Sequence, residues 1–191
     1  YIANTSASRE FPWRAFAVAR DDADLAANQT VFRLAKPCAL EDTSWIKPGV
    51  CVWEWWNNWN LDGVDFESGV NEQTYRYLID YAAENSIPYV VFDAGWLTGK
   101  DAGEMIDTDE KLAEGKAFID VKGLIEYAKS KDVKVILWVL AKSMDKYPQK
   151  AFDIMKGWGA AGLKIDFADR DDQTAMEFYE KMARMAAERE M

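Results

Sequence analysis

The sequence contains no histidine, and it has only two cysteines among its 191 residues. Without histidine, a Ser–His–Asp or Cys–His catalytic group and a histidine-ligated metal site are excluded within this chain. Cys38 and Cys51 are too few for a disulfide framework or a zinc cluster, and we expect two unpaired, buried thiols. Chemistry carried by this chain therefore depends on carboxylates, lysine, tyrosine or the backbone.

Basic residues are scarce as well, with 23 against 33 acidic residues and a formal net charge of -10. Nucleic-acid-binding proteins gain affinity by neutralising phosphates, so this balance argues against a nucleic-acid partner. No apolar run approaches the roughly 20 residues that a membrane-spanning helix needs. The first residues lack the pattern of a signal peptide and do not begin with Met, so we expect a processed chain or a segment of a longer one.

Tryptophan, by contrast, is abundant, since nine Trp contribute to an aromatic share of 14%. Indole rings either fill a large core or offer flat apolar surfaces on which a ligand can stack. The C–H faces of sugar rings suit such surfaces. The composition is therefore compatible with a carbohydrate ligand, although it does not establish one.

The first 43 residues differ in pattern from the rest of the chain. Two short alternating segments, residues 13–18 and 30–34, are separated by polar turns and are typical of β-strands. They are too few to enclose a core of their own. We therefore expect them to complete a sheet whose other strands lie outside this sequence.

After a junction at residues 44–49, an apolar strand pattern is followed by a helical pattern four times from Val50 onward. This alternation predicts βαβ units and a parallel sheet, either doubly wound or closed into a barrel. No glycine-rich loop follows the first strand, which argues against a nucleotide-binding doubly wound fold. The predicted strands cover residues 50–56, 89–93, 133–140 and 162–167, and the predicted helices begin at Asn71, Asp120, Pro148 and about Asp172.

The lengths of the connections favour the barrel. Those from helix to strand are short, whereas those from strand to helix are long, notably residues 57–70 and 94–119. Barrel enzymes build their sites from strand-to-helix loops at the carboxyl ends of the strands. A complete barrel needs eight units in about 250 residues. Residues 44–191 are therefore predicted to form the first four β/α units of a (β/α)8 TIM-type barrel.

The fourth predicted strand places two charged residues on one face. Side chains alternate along a strand, so Lys164 and Asp166 share a face opposite the apolar Leu163, Ile165 and Phe167. The apolar face should meet the helices, and Lys164 and Asp166 then point into the barrel near its functional end. An inert Lys–Asp pair that fills the barrel mouth explains the pattern equally well.

Three further side chains stand at strand ends where a ligand could reach them. Asp93 ends the second strand and could accept hydrogen bonds from adjacent hydroxyl groups, although an aspartate that caps the loop would look the same. Trp96 follows it and could offer a ring face. Trp138, near the end of the third strand, is either part of the core or a platform for a sugar ring.

The first predicted strand contributes a weaker candidate, Glu54. Alternation puts Val52, Glu54 and Trp56 on one face and Trp53 and Trp55 on the other. Glu54 would then lie inside the barrel mouth and contact the substrate or a residue that binds it. Several of these tryptophans are expected to belong to the core.

Taken in order, these segments resemble glycoside hydrolase family 97, a family of α-glycosidases in which a β-sandwich precedes a (β/α) barrel. The matching segments are residues 11–14, 42–49, 53–56, 93–96, 136–139 and 162–173. The resemblance implies that residues 1–43 are the C-terminal edge of the N-terminal β-sandwich domain. It also implies that residues 44–191 are the first four β/α units of the catalytic barrel.

The family has two mechanistic branches. The retaining branch, associated with α-galactosidase activity, carries its nucleophilic aspartate at the end of the fourth barrel strand, and Asp166 falls on that position. The inverting branch, associated with α-glucosidase activity, lacks this aspartate and has a glutamate base near the end of the third strand. Residues 139–142 here read Val-Leu-Ala-Lys, with no glutamate. The resemblance therefore implies a retaining α-galactosidase, with an α-glucosidase of the same family as the alternative.

The resemblance also implies roles for other residues. Lys164 would keep Asp166 ionised and could bind a sugar hydroxyl, and Asp93 resembles the hydroxyl-binding aspartate of related retaining α-galactosidases. The acid/base carboxyl is expected beyond Met191. The family binds calcium near its site, without assignable ligands in this chain, and it implies a periplasmic or secreted protein whose partners are an α-glycoside and the rest of its own polypeptide.

Two other classes of function stay open at the level of sequence. Lys164 could form a Schiff base in a lyase or aldolase, although a neighbouring aspartate disfavours the neutral amine. The chain could also bind sugar without turnover or serve as a structural segment. Because it lacks the acid/base residue, we expect the isolated 191-residue chain to be catalytically inactive.

Overall fold

The computed structural model describes Ser8, residues 14–98 and residues 114–191. The chain divides into two compact units, Tyr1–Ser44 and Trp45–Met191. Among the described residues, no helix is both long and apolar enough to span a membrane. Both cysteines are free thiols, but both are exposed, so the expectation of buried thiols is wrong. Cys51 is exposed because it begins a strand at one edge of the sheet described below.

In the first unit the described residues form two short helices, α1 (Asp22–Ala26) and α2 (Thr30–Leu34). The strand predicted over residues 30–34 is therefore wrong. An unpaired strand would leave its backbone groups without partners, whereas a helical turn satisfies them locally. Here the N–H of Arg33 donates to Gln29 O, and the N–H of Ala35 donates to Val31 O.

The other predicted strand of this unit is not formed either. Residues 14–18 have no regular secondary structure, and Trp13, with which the prediction began, lies outside the described residues. The interpretation of residues 1–43 as the edge of a β-sandwich stays a prediction.

The second unit contains a four-stranded, fully parallel sheet in the order β1-β2-β3-β4. The predicted α/β class with a parallel sheet is thereby confirmed. The strands are β1 (Cys51–Trp53), β2 (Tyr89–Phe92), β3 (Lys134–Leu140) and β4 (Gly162–Asp166). Because consecutive strands are neighbours, their carboxyl ends follow one another along a single edge of the sheet.

Five helices accompany the sheet in the described part of this unit. They are α3 (Glu72–Glu84), α4 (Val121–Ser130), α5 (Ala141–Lys146), α6 (Pro148–Trp158) and α7 (Gln173–Ala187). The helix starts predicted at Asn71, Asp120 and about Asp172 are confirmed, and each of these side chains accepts a hydrogen bond from a backbone N–H in the first turn of α3, α4 and α7. Helix α5, which directly follows β3, was not predicted.

One hydrophobic core lies between the sheet and the helices. It takes alternate residues from the strands, such as Val90, Phe92 and Leu137, and the apolar stripes of the helices, such as Tyr75 and Leu124. Burying each large side chain contributes about 1.5–3 kcal/mol. The opposite face of the sheet carries a small separate cluster of Ala94, Trp138 and Leu140. The charged strand residues also lie on this second face, which is where a ligand has access.

Strand β1 departs from its predicted length of seven residues. It ends at Trp53, and Glu54–Asn57 form a 3-10 turn closed by Asn58 in the left-handed conformation, with φ of 56°. The predicted alternation across residues 50–56 is therefore wrong. Val52 packs against the main core, so Trp53 rather than Glu54 is the residue that shares the sheet's open face with the charged groups.

Candidate active site

The candidate site is assembled from the carboxyl ends of three strands. Asp93 directly follows β2, Asp166 is the last residue of β4, and Lys164 lies two residues before it. In the parallel register Trp138 on β3 is the partner of Lys164. The sheet therefore brings together four of the predicted site residues from positions far apart in the sequence.

Lys164 joins two carboxylates that differ in exposure. Its Nζ lies 2.7 Å from Asp93 Oδ2 and 3.4 Å from Asp166 Oδ2. The Asp93 side chain is 2% exposed, whereas that of Asp166 is 39% exposed. The predicted pairing of Lys164 with Asp166 is present, but the shorter ion pair is with Asp93. The buried carboxylate therefore anchors the ammonium group, and the exposed one is open to a ligand.

Asp166 is held in the ionised form by several donors. Trp138 Nε1 donates to its Oδ2 over 3.0 Å, and the backbone N–H of Phe167 donates to its Oδ1 over 2.9 Å. Partial burial alone would raise its pKa, but these two hydrogen bonds and the charge of Lys164 together hold the pKa of Asp166 below its usual value. An ionised, partly exposed carboxylate at a strand end is suited to nucleophilic attack.

The backbone after Asp166 is strained. Phe167 has φ of 57°, in the left-handed region that a bulky residue adopts at a cost of about 1–2 kcal/mol. This turn is accompanied by the hydrogen bond from the Phe167 N–H to the Asp166 carboxylate. Strain of this kind is often found at functional sites.

Asp93 is surrounded by protein donors. Its Oδ2 accepts hydrogen bonds from Trp53 Nε1 at 2.6 Å and from Lys164 Nζ at 2.7 Å, and its Oδ1 accepts from the N–H of Ala94 at 2.7 Å. Its predicted contact with substrate hydroxyls stays a prediction. What the geometry provides is an anchor for Lys164, whose Nζ also lies 4.5 Å from the centroid of the Trp53 ring.

The Glu54 side chain is buried against the main chain of Asp93 and does not lie in the predicted barrel mouth. It is 2% exposed, and its Oε1 accepts hydrogen bonds from Tyr75 Oη at 3.1 Å and from the N–H of Asp93 at 2.8 Å. Burial raises its pKa from 4.5 to about 7, and the nearby charge of Asp93 adds to the increase, against the lowering effect of its hydrogen bonds. The substrate-contact alternative for Glu54 is wrong, because the 3-10 turn directs its side chain inward. The other alternative, contact with a residue that binds the substrate, stays a prediction, and Glu54 does accept a hydrogen bond from the N–H of Asp93.

The two predicted stacking residues are both buried. Trp96 is 1% exposed, its Nε1 donates to Trp138 O over 2.8 Å, and its ring packs edge-on against Trp158. The prediction that Trp96 offers a ring face to a sugar is therefore wrong. Trp138 is 5% exposed and packs edge-on against Phe167, so its ring is part of the core, which was one of the two predicted alternatives. Its indole N–H donates a hydrogen bond to Asp166.

Trp53 and Tyr75 were not predicted as site residues. Trp53 holds Asp93 through its indole N–H, and Tyr75 donates to Glu54 from helix α3. Trp53 could have been found from the core pattern, because assigning Val52 to the helix side places Trp53 on the opposite face. Tyr75 gave no such signal, because its position fits a core residue of α3.

The residues present do not supply a calcium site by themselves. Within residues 14–98 and 114–191, together with Ser8, no group of three or more His, Cys, Asp or Glu side chains could hold a metal ion. Calcium prefers six to eight oxygen ligands, and the carboxylates of the site are already committed to Lys164 and to indole and backbone donors. Calcium therefore stays a prediction of the family resemblance.

Comparisons with known proteins show two curated relatives that match most of this chain. A retaining alpha-galactosidase from Bacteroides thetaiotaomicron is 42% identical over 187 residues, which cover 98% of this chain and 27% of that protein. A probable retaining alpha-galactosidase from Streptomyces bingchenggensis is 30% identical over 173 residues, which cover 90% of this chain and 25% of that protein. This chain thus spans about a quarter of the length of these curated relatives.

Among solved structures, a glycoside hydrolase family 97 enzyme from a Pseudoalteromonas species in complex with acarbose matches with a TM-score of 0.70. The match covers 88% of this chain and 29% of that one at 22% identity, and it supports the fold alone. The model of the family Glycoside hydrolase 97 matches residues 53–191, which include the whole sheet from Trp53 and every charged residue of the site. The chain belongs to glycoside hydrolase family 97.

Proposed function

We propose that the whole protein hydrolyses terminal α-glycosides with retention of configuration, as an α-galactosidase, and that Asp166 is the nucleophile. The observation that carries this proposal is the state of Asp166 itself. It is partly exposed at the end of β4, and the hydrogen bonds and charge around it lower its pKa. The names of the two relatives, a retaining and a probable retaining alpha-galactosidase, support the same choice.

The proposed mechanism has two steps. Asp166 attacks the anomeric carbon as the bond to the leaving group breaks, and the leaving oxygen takes a proton from an acid, giving a covalent glycosyl-enzyme. Water then attacks that carbon, gives its proton to the same residue acting as base, and releases Asp166 as a carboxylate. The acid/base carboxyl must lie about 5–5.5 Å from Asp166. We place it in the polypeptide beyond Met191.

Lys164 supports this reaction in two ways. Its ammonium group stabilises the Asp166 carboxylate at 3.4 Å, and one third of its side chain is exposed, so it can donate to a sugar hydroxyl. An ammonium group placed between two carboxylates has no lone pair with which to attack a carbonyl carbon. The Schiff-base alternative is therefore disfavoured by the pairing with Asp93 and Asp166.

The inverting α-glucosidase alternative is less well supported. The glutamate base that the resemblance requires near the end of the third strand is absent, because β3 ends at Leu140 and continues directly into α5 with Ala141 and Lys142. We further propose that residues 44–191 are half of a barrel. The sequential strand order, with the helices contributing to one core on one side of the sheet, supports this architecture.

Substitution of the nucleophile tests the function in the full-length protein that contains this segment. We expect Asp166→Ala to lose activity on nitrophenyl α-galactoside by at least a thousandfold, and azide to restore turnover by forming the β-glycosyl azide in the vacated space. Asp171→Ala, an exposed aspartate five residues further on, is the matched control and should retain activity. A β-configured sugar as the first product of the unmodified enzyme would contradict the proposed retention.

A periplasmic or secreted location and a bound calcium ion are further proposals that rest on the family resemblance. Neither enters the mechanism above. Chelation of the full-length protein, followed by the same assay and by calcium titration, tests the second of them. Loss of activity on chelation, with recovery by Ca²⁺ alone, is the expected result.

A further inference from the structure

The buried Glu54 is not used by the proposed mechanism, yet it is in direct contact with the site. Its carboxyl group lies at the junction of three elements: the 3-10 turn after β1, helix α3 through Tyr75, and the end of β2 through Asp93. Only 2% of this residue is exposed to solvent. A carboxyl group at such a position has to be accounted for, because burying it as an anion is costly.

The two oxygens of Glu54 have different surroundings. Oε1 accepts two hydrogen bonds, from Tyr75 Oη at 3.1 Å and from the N–H of Asp93 at 2.8 Å. Oε2 is buried and has no hydrogen-bond donor among the described residues. A proton on Oε2 would find no acceptor there either, but an unpaired buried O–H costs less than an unpaired buried charge. The asymmetry therefore favours the neutral carboxylic acid over an anion, whose second oxygen would have no donor from another residue.

The charges that face Glu54 favour the same state. Tyr75, on α3, offers a neutral hydroxyl group, because burial raises its pKa well above the usual value. Asp93, at the end of β2, is anionic and is compensated by Lys164 at 2.7 Å. A second negative charge at Glu54 would compete for that single lysine. When Glu54 is protonated, Lys164 can pair with both Asp93 and Asp166.

We propose that Glu54 is a positioning residue that works as a neutral carboxylic acid: it fixes the main chain at Asp93, and Asp93 in turn holds Lys164 beside Asp166. This inference rests on the proposed function, because it assigns Glu54 a role in keeping the nucleophile's surroundings in place. Ionisation of Glu54 above neutral pH places a second anion next to Asp93. The ammonium group is then drawn toward this pair and away from Asp166, and formation of the glycosyl-enzyme slows.

Kinetics of the first chemical step test the positioning role in the full-length protein. The probe is the α-galactosyl or α-glucosyl fluoride that the enzyme turns over, because fluoride leaves without protonation and the acid/base residue does not shape the pH profile. The burst of fluoride release is followed from pH 5.5 to 8.5 in the unmodified enzyme, Glu54→Gln and Glu54→Ala. Glu84→Gln, an exposed glutamate at the far end of α3, is the control with the same change of side chain.

We expect the burst rate of the unmodified enzyme to fall at least fivefold as the pH rises through about 7. Glu54→Gln keeps the carbonyl acceptor and cannot ionise, so it should stay within about threefold of the unmodified rate at pH 6 and lose the alkaline fall. Glu54→Ala should be at least tenfold slower throughout, and Glu84→Gln should follow the unmodified enzyme. An alkaline fall that persists in Glu54→Gln, a flat profile in the unmodified enzyme, or a Gln variant as slow as the Ala variant would overturn the positioning role.

Infrared spectroscopy tests the protonation state without reference to activity. The difference spectrum between the unmodified protein and Glu54→Gln should show the C=O band of a neutral carboxylic acid at pH 6, replaced by carboxylate bands at pH 8.5. Absence of the acid band at pH 6 overturns the proposal even if the enzyme is active. If no α-glycoside is turned over, the proposed function fails, and the infrared result still decides whether Glu54 carries the proton.

Discussion

Lys164 neutralises a carboxylate that has almost no access to water. Replacing it in Lys164→Met leaves Asp93 as a buried charge that keeps only its neutral donors, Trp53 and Ala94. Removing one partner of a fully buried ion pair costs about 3–5 kcal/mol, and the partial exposure of Lys164 reduces this. We expect the free energy of unfolding to fall by about 2 kcal/mol in urea titrations at pH 7.

A double variant separates the loss of charge balance from the loss of packing. Lys164→Met combined with Asp93→Asn removes the orphan charge, so it should recover part of the stability. The exposed Lys181→Met on α7 is the control and should leave the free energy of unfolding unchanged. A double variant that is less stable than Lys164→Met would show that the ion pair is not the source of the effect.

Trp138 acts on Asp166, the proposed nucleophile, through a single hydrogen bond. Trp138→Phe removes the donor to Asp166 Oδ2 and keeps an aromatic ring next to Phe167. Because that hydrogen bond lowers the pKa of Asp166, its loss should raise the pKa and move the acidic limb of the kcat/KM profile to higher pH. We expect the acidic limb to move upward by about one pH unit, so that kcat/KM falls several-fold near pH 4 and changes little at pH 7. An unmoved acidic limb would contradict this account.

The sequence predicted part of these contacts and missed the rest for a physical reason. Strand alternation alone was enough to put Lys164 and Asp166 on one face, because period-two geometry is local. The preference of Lys164 for Asp93 depends on the register of β4 against β3 and of β3 against β2, which no local pattern encodes. The core pattern could have placed Trp53 on the same face, but its contact with Asp93 depends on the register of β1 against β2.

At the scale of the secondary-structure element, the end of helix α6 has two glycines whose replacement by alanine should change stability in opposite directions. Gly157 lies in the exposed last turn, where a methyl group added at its Cα would have open space around it, whereas Gly159 caps the helix with φ of 94°. Gly157→Ala should stabilise the protein by about 0.5–1 kcal/mol, because alanine loses less backbone entropy in a helix. Gly159→Ala should destabilise it by about 1 kcal/mol or more, because its methyl group is strained in the left-handed region.

The two variants are controls for each other, because both add one methyl group to the same end of the helix. In Gly159→Ala the new Cβ would also come within 3.2 Å of Ile125 on α4. Thermal and urea unfolding at pH 7 measure both changes. Equal effects of the two substitutions would mean that backbone conformation does not decide stability at this helix end.

Elements with local signals were predicted well, and those without were not. Helices α3, α4 and α7 begin after side-chain caps at Asn71, Asp120 and Asp172, which the sequence displays. The early end of β1 and the helix over Thr30–Leu34 went unpredicted, because β-branched and aromatic residues suit strands only where a neighbouring strand pairs with them. Helix α5 was also missed, because no side-chain cap marks its start directly after β3.

At the scale of the whole molecule, the sheet has two edges, β1 and β4, that pair with no other strand among the described residues. Exposed edges carry unpaired backbone groups and invite association with further strands. The chain spans about a quarter of its curated relatives, so additional strands of the same polypeptide suit these edges. Asp166 lies on the edge strand β4, so any strand that pairs with this edge would lie next to the proposed nucleophile.

The absence of histidine makes the pH dependence of folding simple to interpret. Histidine is the side chain that ordinarily titrates between pH 5 and 8, and this chain has none. The pKa of Glu54 lies at about 7 in the folded protein and near 4.5 when unfolded, so the folded state holds a proton that the unfolded state releases. Its contribution is fully present below pH 4.5 and is lost as the pH rises toward 7.

We therefore expect the free energy of unfolding to fall by about 2 kcal/mol between pH 5 and pH 7.5, at about 1.4 kcal/mol per pKa unit. Glu54→Gln should remove most of this slope, because the amide cannot ionise, while Glu84→Gln should keep it. Urea unfolding of the 191-residue chain at several pH values measures the slope directly. A slope that is the same in Glu54→Gln would mean that the proton released on unfolding comes from another group. Asp166 is not that group, since its lowered pKa makes its own contribution appear only at more acidic pH.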